Sequence, residues 1–249
     1  MVGNKKRIIE VLIDLGEKLL EHPRKEINFT EDPEANKLLN NLEDYPHAFV
    51  LACMMDMQIR AERAWVIPYQ IMREISSYKF IDLLDISEER LTEIFVRKSL
   101  HRFNTKMSKS FYYSVQKIHS DYNNNASEIW KNKPSSATVV RRFLEFKGAG
   151  VKISTMAVNI LARDFKIRFK DYICIDISPD VQVQRVFKRL GFIPDNAKSE
   201  LIIYTARELN PRYPGIFDLS CWEIGRKWCR PKEPKCSSCY LDEYCLKHI

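Results

Sequence analysis

The chain has 249 residues with a formal net charge of +7, and its calculated pI is about 9.0. This length suffices for one large or two modest domains with their own cores. The first 22 residues, MVGNKKRIIEVLIDLGEKLLEH, carry charges between their apolar positions, so we expect neither a signal peptide nor a membrane span there.

Most segments show the apolar periodicity of helices, and glycine is scarce at seven residues. The pattern predicts an all-α fold in which the segment 122–136 connects two helices and DYICIDI at 171–177 is the best candidate for a strand. Predicted helices cover residues 4–22, 33–43, 46–57, 60–75, 88–99, 106–122, 136–146, 151–163, 179–190, 197–208 and 214–227.

Gly148 and Gly150 separate two of these helices in the segment FKGAGVKIS. Two glycines spaced by one residue permit positive φ angles and leave room for a nucleic-acid backbone. The backbone amides that begin the second helix can bind a phosphate, and the helix dipole favours that charge. A plain corner between two helices is the alternative interpretation.

Four cysteines near the C-terminus, Cys229, Cys236, Cys239 and Cys245, are spaced C-x6-C-x2-C-x5-C. A segment this short cannot bury enough apolar surface to hold its shape, so the spacing predicts a metal centre. Structural zinc favours two CxxC pairs, and only one is present. A [4Fe–4S] cluster binds each cysteine at a different iron, so it also accepts the longer x6 and x5 spacings on either side of the CxxC pair. We therefore predict a cluster, with zinc as the alternative.

The stretch around Cys229 and up to Cys236 contains five basic residues and one acidic residue, Glu233. The basic residues are Arg226, Lys227, Arg230, Lys232 and Lys235. A basic loop held rigid by a metal centre suits a phosphate backbone, and a merely solvated loop is the alternative.

Four segments in chain order resemble the helix-hairpin-helix DNA glycosylase superfamily, in particular its endonuclease III branch. MDMQIRA corresponds to the family's Ser-x-Gln-x-x-Asp, and FKGAGVKIS resembles its hairpin, usually Leu-Pro-Gly-Val-Gly-x-Lys-Thr-Ala. PDVQVQRVFKRLGF resembles Val-Asp-Thr-His-x-x-Arg-Val, with Asp180 and Arg185 in matching positions. GRKWC and the cysteine spacing resemble the cluster loop of this branch, and the likeness covers about 200 of the 249 residues.

The chain departs from the family pattern at several positions. Lys147 replaces the hairpin proline, Ile153-Ser154 replaces Thr-Ala, and Gln182 replaces the histidine that follows the aspartate. The stretch from Lys152 to Asp180 is also about ten residues longer than is typical of the family. These differences indicate a divergent branch, and they affect the expected lesion preference more than the expected chemistry.

The resemblance implies two helical lobes with a DNA groove between them. One would be a helical bundle of residues 44–163 carrying the hairpin, and the other would join residues 1–43 to residues 164–249 around the [4Fe–4S] cluster. The expected DNA contacts are the gap-filling Gln58, the hairpin and the cluster loop. Those of the hairpin are Lys147, Gly148, Gly150 and Val151, and those of the loop are Arg230, Lys232 and Lys235.

The resemblance also implies two catalytic residues. Lys152 would attack C1′ and form a Schiff base, and Asp180 would stabilise positive charge on the deoxyribose. Each residue has a plainer interpretation, since Lys152 could be a phosphate contact, Asp180 a helix cap and Gln58 a solvated glutamine. Asp171 and Asp176 are rival carboxylates in the longer stretch.

The implied function is a bifunctional DNA glycosylase and AP lyase of base-excision repair. Alternatives are a monofunctional glycosylase, a catalytically silent DNA-binding platform and a zinc-stabilised module of unrelated fold. The expected partner is double-stranded DNA with a damaged base or an abasic site, bound by a monomer without a membrane. The remaining cysteines (Cys53, Cys174 and Cys221) show no pairing pattern, in line with a reducing, cytoplasmic location near the nucleoid.

Overall fold

The computed structural model of the chain describes residues 2–245. Within that range the backbone forms helices and turns without a strand, so the all-α prediction is confirmed. The α-helices are α1 (Val2–Glu21), α2 (Pro33–Asn40), α3 (Pro46–Met55), α4 (Ala61–Trp65), α5 (Ile67–Glu74), α6 (Phe80–Leu84), α7 (Glu88–Arg97), α8 (Asn104–Tyr122), α9 (Ser136–Leu144), α10 (Val151–Arg163), α11 (Val181–Arg189), α12 (Ser199–Leu209) and α13 (Asp218–Lys227). Short 3₁₀ helices cover Ala126–Ile129, Pro214–Phe217 and Cys236–Ser238. None of the described helices combines the length and the apolar character that a membrane span requires.

The predicted helix at 60–75 is two helices, because Pro68 interrupts it. Proline has no amide hydrogen to donate to the carbonyl four residues earlier, so Pro68 fits only in the first turn of a helix. The chain therefore breaks at Val66 and restarts as α5. The short helix α6 was not predicted.

The strand candidate at 171–177 forms no strand, because its backbone groups bond to other parts of the chain. The amide of Cys174 donates to Ser136 Oγ at 3.1 Å, and the carbonyl of Ile175 accepts from the Gly215 amide at 2.7 Å. Asn159 Nδ2 donates to the carbonyl of Asp176 at 2.8 Å. Side chains and a 3₁₀ helix thus replace the partner strand that this pattern would otherwise need.

The chain forms two compact units. Unit 1 comprises Met1–Arg24, Lys133–Val140 and Val158–Ile249, and unit 2 comprises Lys25–Asn132 and Arg141–Ala157. The predicted domains group residues 25–43 with residues 164–249, whereas in the structure residues 25–43 belong to unit 2. Phe29, for example, stacks on Trp65 in unit 2 with ring centroids 4.4 Å apart. The predicted domains also differ at residues 133–140, where the carbonyl of Pro134 accepts from the Lys170 amide within unit 1 at 2.9 Å.

Unit 2 is built around α3, whose every residue is buried. The helix contains one strongly polar side chain, His47, and a helix that is apolar all round belongs in a core. Phe49, Phe95 and Phe111 are fully buried in this unit. Because α3 is fixed on all sides, the residues after Met55 leave the core at a defined position.

In unit 1 the close packing of α11 on α13 depends on Gly225. A Cβ atom at Gly225 would lie 2.7 Å from the Cβ of Gln182, closer than real side chains approach. Any larger residue at Gly225 would push the two helices apart. Because α11 and α13 pack this closely, the start of α11 and the loop that follows α13 are supported by the same pair of helices.

Candidate functional site

The turn at residues 145–150 joins α9 to α10 and places the two hairpin glycines on the surface. Gly148 has a φ of +93°, which an L side chain rarely adopts, and Ser110 Oγ donates to the carbonyl of Lys147 at 3.0 Å. Gly150 lies outside the left-handed region, and a Cβ there would meet nothing within 4 Å. The turn itself therefore needs Gly148, whereas Gly150 leaves open space facing outward.

We expect Gly150→Val to weaken binding of an abasic-analogue duplex by about tenfold, because the side chain would fill the space that a phosphate backbone approaches. The free energy of unfolding should fall by no more than about 1 kcal/mol, the usual effect of a poorer residue at a helix start. Fluorescence anisotropy and a thermal melt measure the two effects. Unchanged affinity in the folded variant would remove Gly150 from the DNA interface.

The core helix α3 ends at a turn that exposes Gln58. Gln58 is exposed and has a φ of +56°, a left-handed conformation that is uncommon outside glycine. His101 is buried, and its Nδ1 accepts from the Phe103 amide at 3.0 Å, so Nε2 carries the proton in the neutral ring. A strained backbone held by its surroundings is common at functional sites, and here it turns Gln58 outward.

Lys152 lies on the first turn of α10, and its side chain reaches the Gln58 turn. Its Nζ is 2.8 Å from Oδ2 of Asp56 and 3.5 Å from the Asp56 carbonyl oxygen. The Asp56 side chain is 9% exposed and that of Lys152 is 35% exposed. Unit 2 thus brings together Gln58, the hairpin and Lys152. Sequence reasoning missed Asp56, although a carboxylate where the family pattern has serine was a visible signal.

Asp180 caps the N-terminus of α11 in unit 1. Its Oδ1 accepts from the amides of Gln182 and Val183, both at 2.8 Å, and the residue is half-buried. The rival Asp176 accepts from Arg207 with both carboxylate oxygens, at 2.7 and 2.8 Å, and Asp171 accepts from Ser136 Oγ. All three carboxylates thus have structural partners, and the catalytic assignment of Asp180 stays a prediction that rests on its position in the motif.

Asp218 anchors the turn that presents Asp180, and sequence reasoning missed it. Its Oδ1 accepts from the Ser178 amide at 2.7 Å, and the Asp180 amide donates to the Ser178 carbonyl at 2.7 Å. Burial raises the pKa of Asp218 to about 6, against the opposing effect of the Arg163 guanidinium, whose Nη1 lies 3.9 Å from Oδ2. The only sequence signal was an acidic residue in the first turn of a helix.

Because the pKa of Asp218 is raised, we predict that the folded protein is less stable at neutral pH than at pH 4. A carboxyl whose pKa rises from 3.8 to about 6 on folding stabilises the folded state below pH 4, and this contribution is lost as the pH rises through 6. Asp218→Asn lacks this dependence and keeps an oxygen for the Ser178 amide. Urea denaturation should show the wild type losing about 2–3 kcal/mol relative to the variant between pH 4 and pH 8. Parallel stability curves would contradict this account of Asp218.

The four predicted cysteine ligands line one cavity of about 40 Å³ between the terminal loop, α11 and α13. Val186, Leu190, Ile224 and Leu241 form its apolar wall. Nη1 of Arg189 donates to Cys229 Sγ at 3.5 Å and to the Arg230 carbonyl at 2.7 Å. Sulfur donors inside an apolar wall, with a cation beside one of them, suit an anionic metal–thiolate centre.

Among residues 2–245, no three His, Cys, Asp or Glu side chains lie close enough together to hold one metal ion. A single zinc ion needs its four sulfurs about 2.3 Å from one point, whereas a [4Fe–4S] cluster binds each thiolate at a different iron. The cluster therefore stays a prediction that rests on the cysteine spacing, with zinc as the alternative.

Arg185, the arginine of the motif after Asp180, attaches the cysteine loop to α11. Its Nε donates to the Cys229 carbonyl at 2.6 Å, and Nη2 donates to the Gly225 carbonyl at 2.8 Å. Beyond this anchor Arg230, Lys232 and Lys235 are exposed. The loop therefore presents cations to solvent while its first arm is fixed to the helices.

No family model matches this sequence, and no curated protein matches it by sequence. Solved structures do match: a trapped covalent intermediate of endonuclease III with DNA has a TM-score of 0.63 at 17% identity, covering 98% of this chain and 96% of that one. A non-covalent endonuclease III–DNA complex has a TM-score of 0.65 at 16% identity, covering 98% and 95%.

This chain has the endonuclease III fold. A thermostable thymine-DNA glycosylase is similar as well, with a TM-score of 0.63 at 13% identity over 98% of this chain and 96% of that one. The expected helix-hairpin-helix glycosylase fold is thus confirmed over nearly the whole length. At these identities the likeness establishes the endonuclease III fold alone, and the chemistry rests on the residues of this chain.

Proposed function

We propose that this protein is a DNA glycosylase of base-excision repair with an associated AP-lyase activity. The observation that supports it best is the position of Lys152, at the start of the second hairpin helix and beside the Gln58 turn. A catalytically silent DNA-binding platform has no need of that lysine together with Asp180. The proposed substrate is double-stranded DNA with a damaged base or an abasic site, consistent with the DNA in both endonuclease III structures.

The glycosidic bond is inaccessible within a duplex, so the target nucleotide must leave the base stack. Gln58 is exposed on its turn, and its amide can fill the gap or hydrogen-bond the orphaned base. Hairpin amides at the start of α10 would hold the adjacent phosphate. Unstacking costs a few kcal/mol, which these contacts would offset.

Cleavage of the glycosidic bond builds positive charge on the deoxyribose as the base leaves with the bond's electron pair. Asp180 would stabilise that charge as a carboxylate. The lone pair of Lys152 Nζ would then form a bond to C1′, and the nitrogen would lose a proton. Cleavage of the C1′–O4′ bond, with O4′ taking up a proton to become a hydroxyl, would open the sugar ring and give an imine. Removal of a C2′ proton and departure of the 3′ phosphate would complete the β-elimination that nicks the strand.

A monofunctional glycosylase is the second candidate, because one structure with this fold is a thymine-DNA glycosylase. Borohydride reduction separates the two candidates, since only an imine becomes a stable covalent adduct. The proposal predicts a protein–DNA adduct on a duplex with an abasic site. Base release without any adduct would instead establish the monofunctional enzyme.

We also propose that Cys229, Cys236, Cys239 and Cys245 hold a [4Fe–4S] cluster with a structural role. When bound, the cluster would supply the order that the terminal loop cannot obtain from its small apolar surface. Arg230, Lys232 and Lys235 would then be held as phosphate contacts, which contribute to affinity for any DNA sequence. No electron transfer enters the proposed reaction.

The cluster proposal predicts that protein purified without air contains about four irons per chain and absorbs near ~400 nm. Cys236→Ser should lower the iron content and the thermal stability together, because the loop loses one of its four attachments. Iron and zinc analysis of the same sample provides the measurement. A full complement of zinc with no iron would overturn the cluster and establish the alternative.

A further inference from the structure

The ion pair between Lys152 and Asp56 joins residues 96 positions apart, and its carboxylate is well shielded from water. The Asp56 side chain is 9% exposed, whereas those of Glu74, Glu128 and Asp121, which form other ion pairs in unit 2, are 18%, 33% and 44% exposed. Asp56 directly follows the fully buried helix α3, which fixes the position of its backbone. An ion pair shielded from water interacts more strongly than an exposed one.

The Asp56 contact determines where the Lys152 amine lies. Nζ is 2.8 Å from Oδ2 of Asp56 and 3.5 Å from the Asp56 carbonyl oxygen, so two oxygens of one residue hold it beside the Gln58 turn. A nucleophile that is already held in place reacts faster than a freely moving side chain, because less orientational freedom is lost on the way to the transition state.

We infer that Asp56 is a positioning residue that fixes the Lys152 amine beside the Gln58 turn. The inference rests on the proposed lyase function, because it assigns a role to Asp56 through the nucleophile of that reaction. Without the Asp56 carboxylate, Nζ would have no fixed place at this turn.

The first test uses the free protein without DNA. Acetic anhydride acylates accessible lysine amines, and peptide mass spectrometry after brief labelling at pH 7.5 reports the rate at each lysine. We expect Asp56→Asn to raise the labelling rate of Lys152 by about two- to fivefold, because Nζ loses the contact that holds it against the protein. Asp56→Glu keeps a carboxylate and should stay near the wild-type rate. Asp121→Asn removes an exposed pair elsewhere in unit 2 and should leave Lys152 labelling unchanged.

The second test measures single-turnover borohydride trapping on an abasic duplex at several protein concentrations. In Asp56→Asn the maximal trapping rate should fall by about tenfold, because Nζ has lost its anchor, while the protein concentration for half-maximal trapping stays within about twofold. Asp56→Glu should restore most of the maximal rate, and equal losses in folded Asp56→Asn and Asp56→Glu would reject the positioning role. Equal Lys152 labelling in the wild type and in folded Asp56→Asn would overturn the inference. Faster labelling with no trapping in any protein would keep the ion-pair role and reject the lyase proposal.

Discussion

Lys152→Gln should abolish borohydride trapping on a duplex with an abasic site, while affinity for that duplex changes by less than about threefold. The glutamine amide cannot form an imine, but it can still donate a hydrogen bond to Asp56. This choice matters because Lys152→Ala would leave the Asp56 carboxylate buried without its partner, which costs stability. A loss of trapping in a stable variant therefore reports the nucleophile and not the fold.

Denaturing gel electrophoresis after reduction measures the adduct, and anisotropy measures binding. Lys131→Ala is a suitable control, because this lysine pairs with Glu128 on a surface 3₁₀ helix. It should trap at the wild-type rate. Normal trapping by Lys152→Gln would place the nucleophile elsewhere, and Lys147, on the outer side of the hairpin, would be the first residue to test.

Asp180→Asn should lower the rate of base release by about 10²- to 10⁴-fold, because it removes the charge that stabilises the sugar cation. Asparagine has the same shape and retains an oxygen for the amides of Gln182 and Val183. The helix cap should therefore persist, with unfolding within about 1 kcal/mol of the wild type. Single-turnover release of the free base separates this chemical step from strand nicking.

Asp176→Asn is the matched control for that experiment. It breaks the paired contacts with Arg207 and should lower stability while keeping most of the single-turnover rate. The opposite result, with Asp180→Asn active and Asp176→Asn inactive in folded protein, would show that Asp176 carries the chemistry. The longer stretch before Asp180 would then have shifted the catalytic position.

Local patterns predicted most of the fold. Apolar periodicity located the long helices, and the glycines located the hairpin turn, although only Gly148 adopts the positive φ angle that both permit. The helix at 60–75 was wrong for a local reason, since Pro68 could have been read as a break. The pattern at 171–177 was misleading, because a strand needs a partner that no local pattern can supply.

The site was predicted less completely, because its supporting residues act across long separations in the chain. Asp56 contacts a lysine 96 positions away, and Asp218 bonds an amide 40 positions away. Neither belongs to a motif with fixed spacing. Resemblance located Lys152 and Asp180, the proposed reacting groups, whereas the carboxylates of Asp56 and Asp218 that contact Lys152 and the Asp180 turn became visible only once the helices were packed.

The most direct test of the proposed function is a panel of duplexes, each with one lesion: an oxidised pyrimidine, an oxidised purine, a uracil or thymine mismatch, or an abasic site. The wild type and Asp180→Asn are incubated with each duplex, and free base and nicked strand are quantified separately. We predict release of the free base from at least one lesion, followed by a nick, with the release lost in Asp180→Asn. Tight binding of these duplexes with neither base release nor nicking at any lesion would contradict a glycosylase and establish a DNA-binding platform.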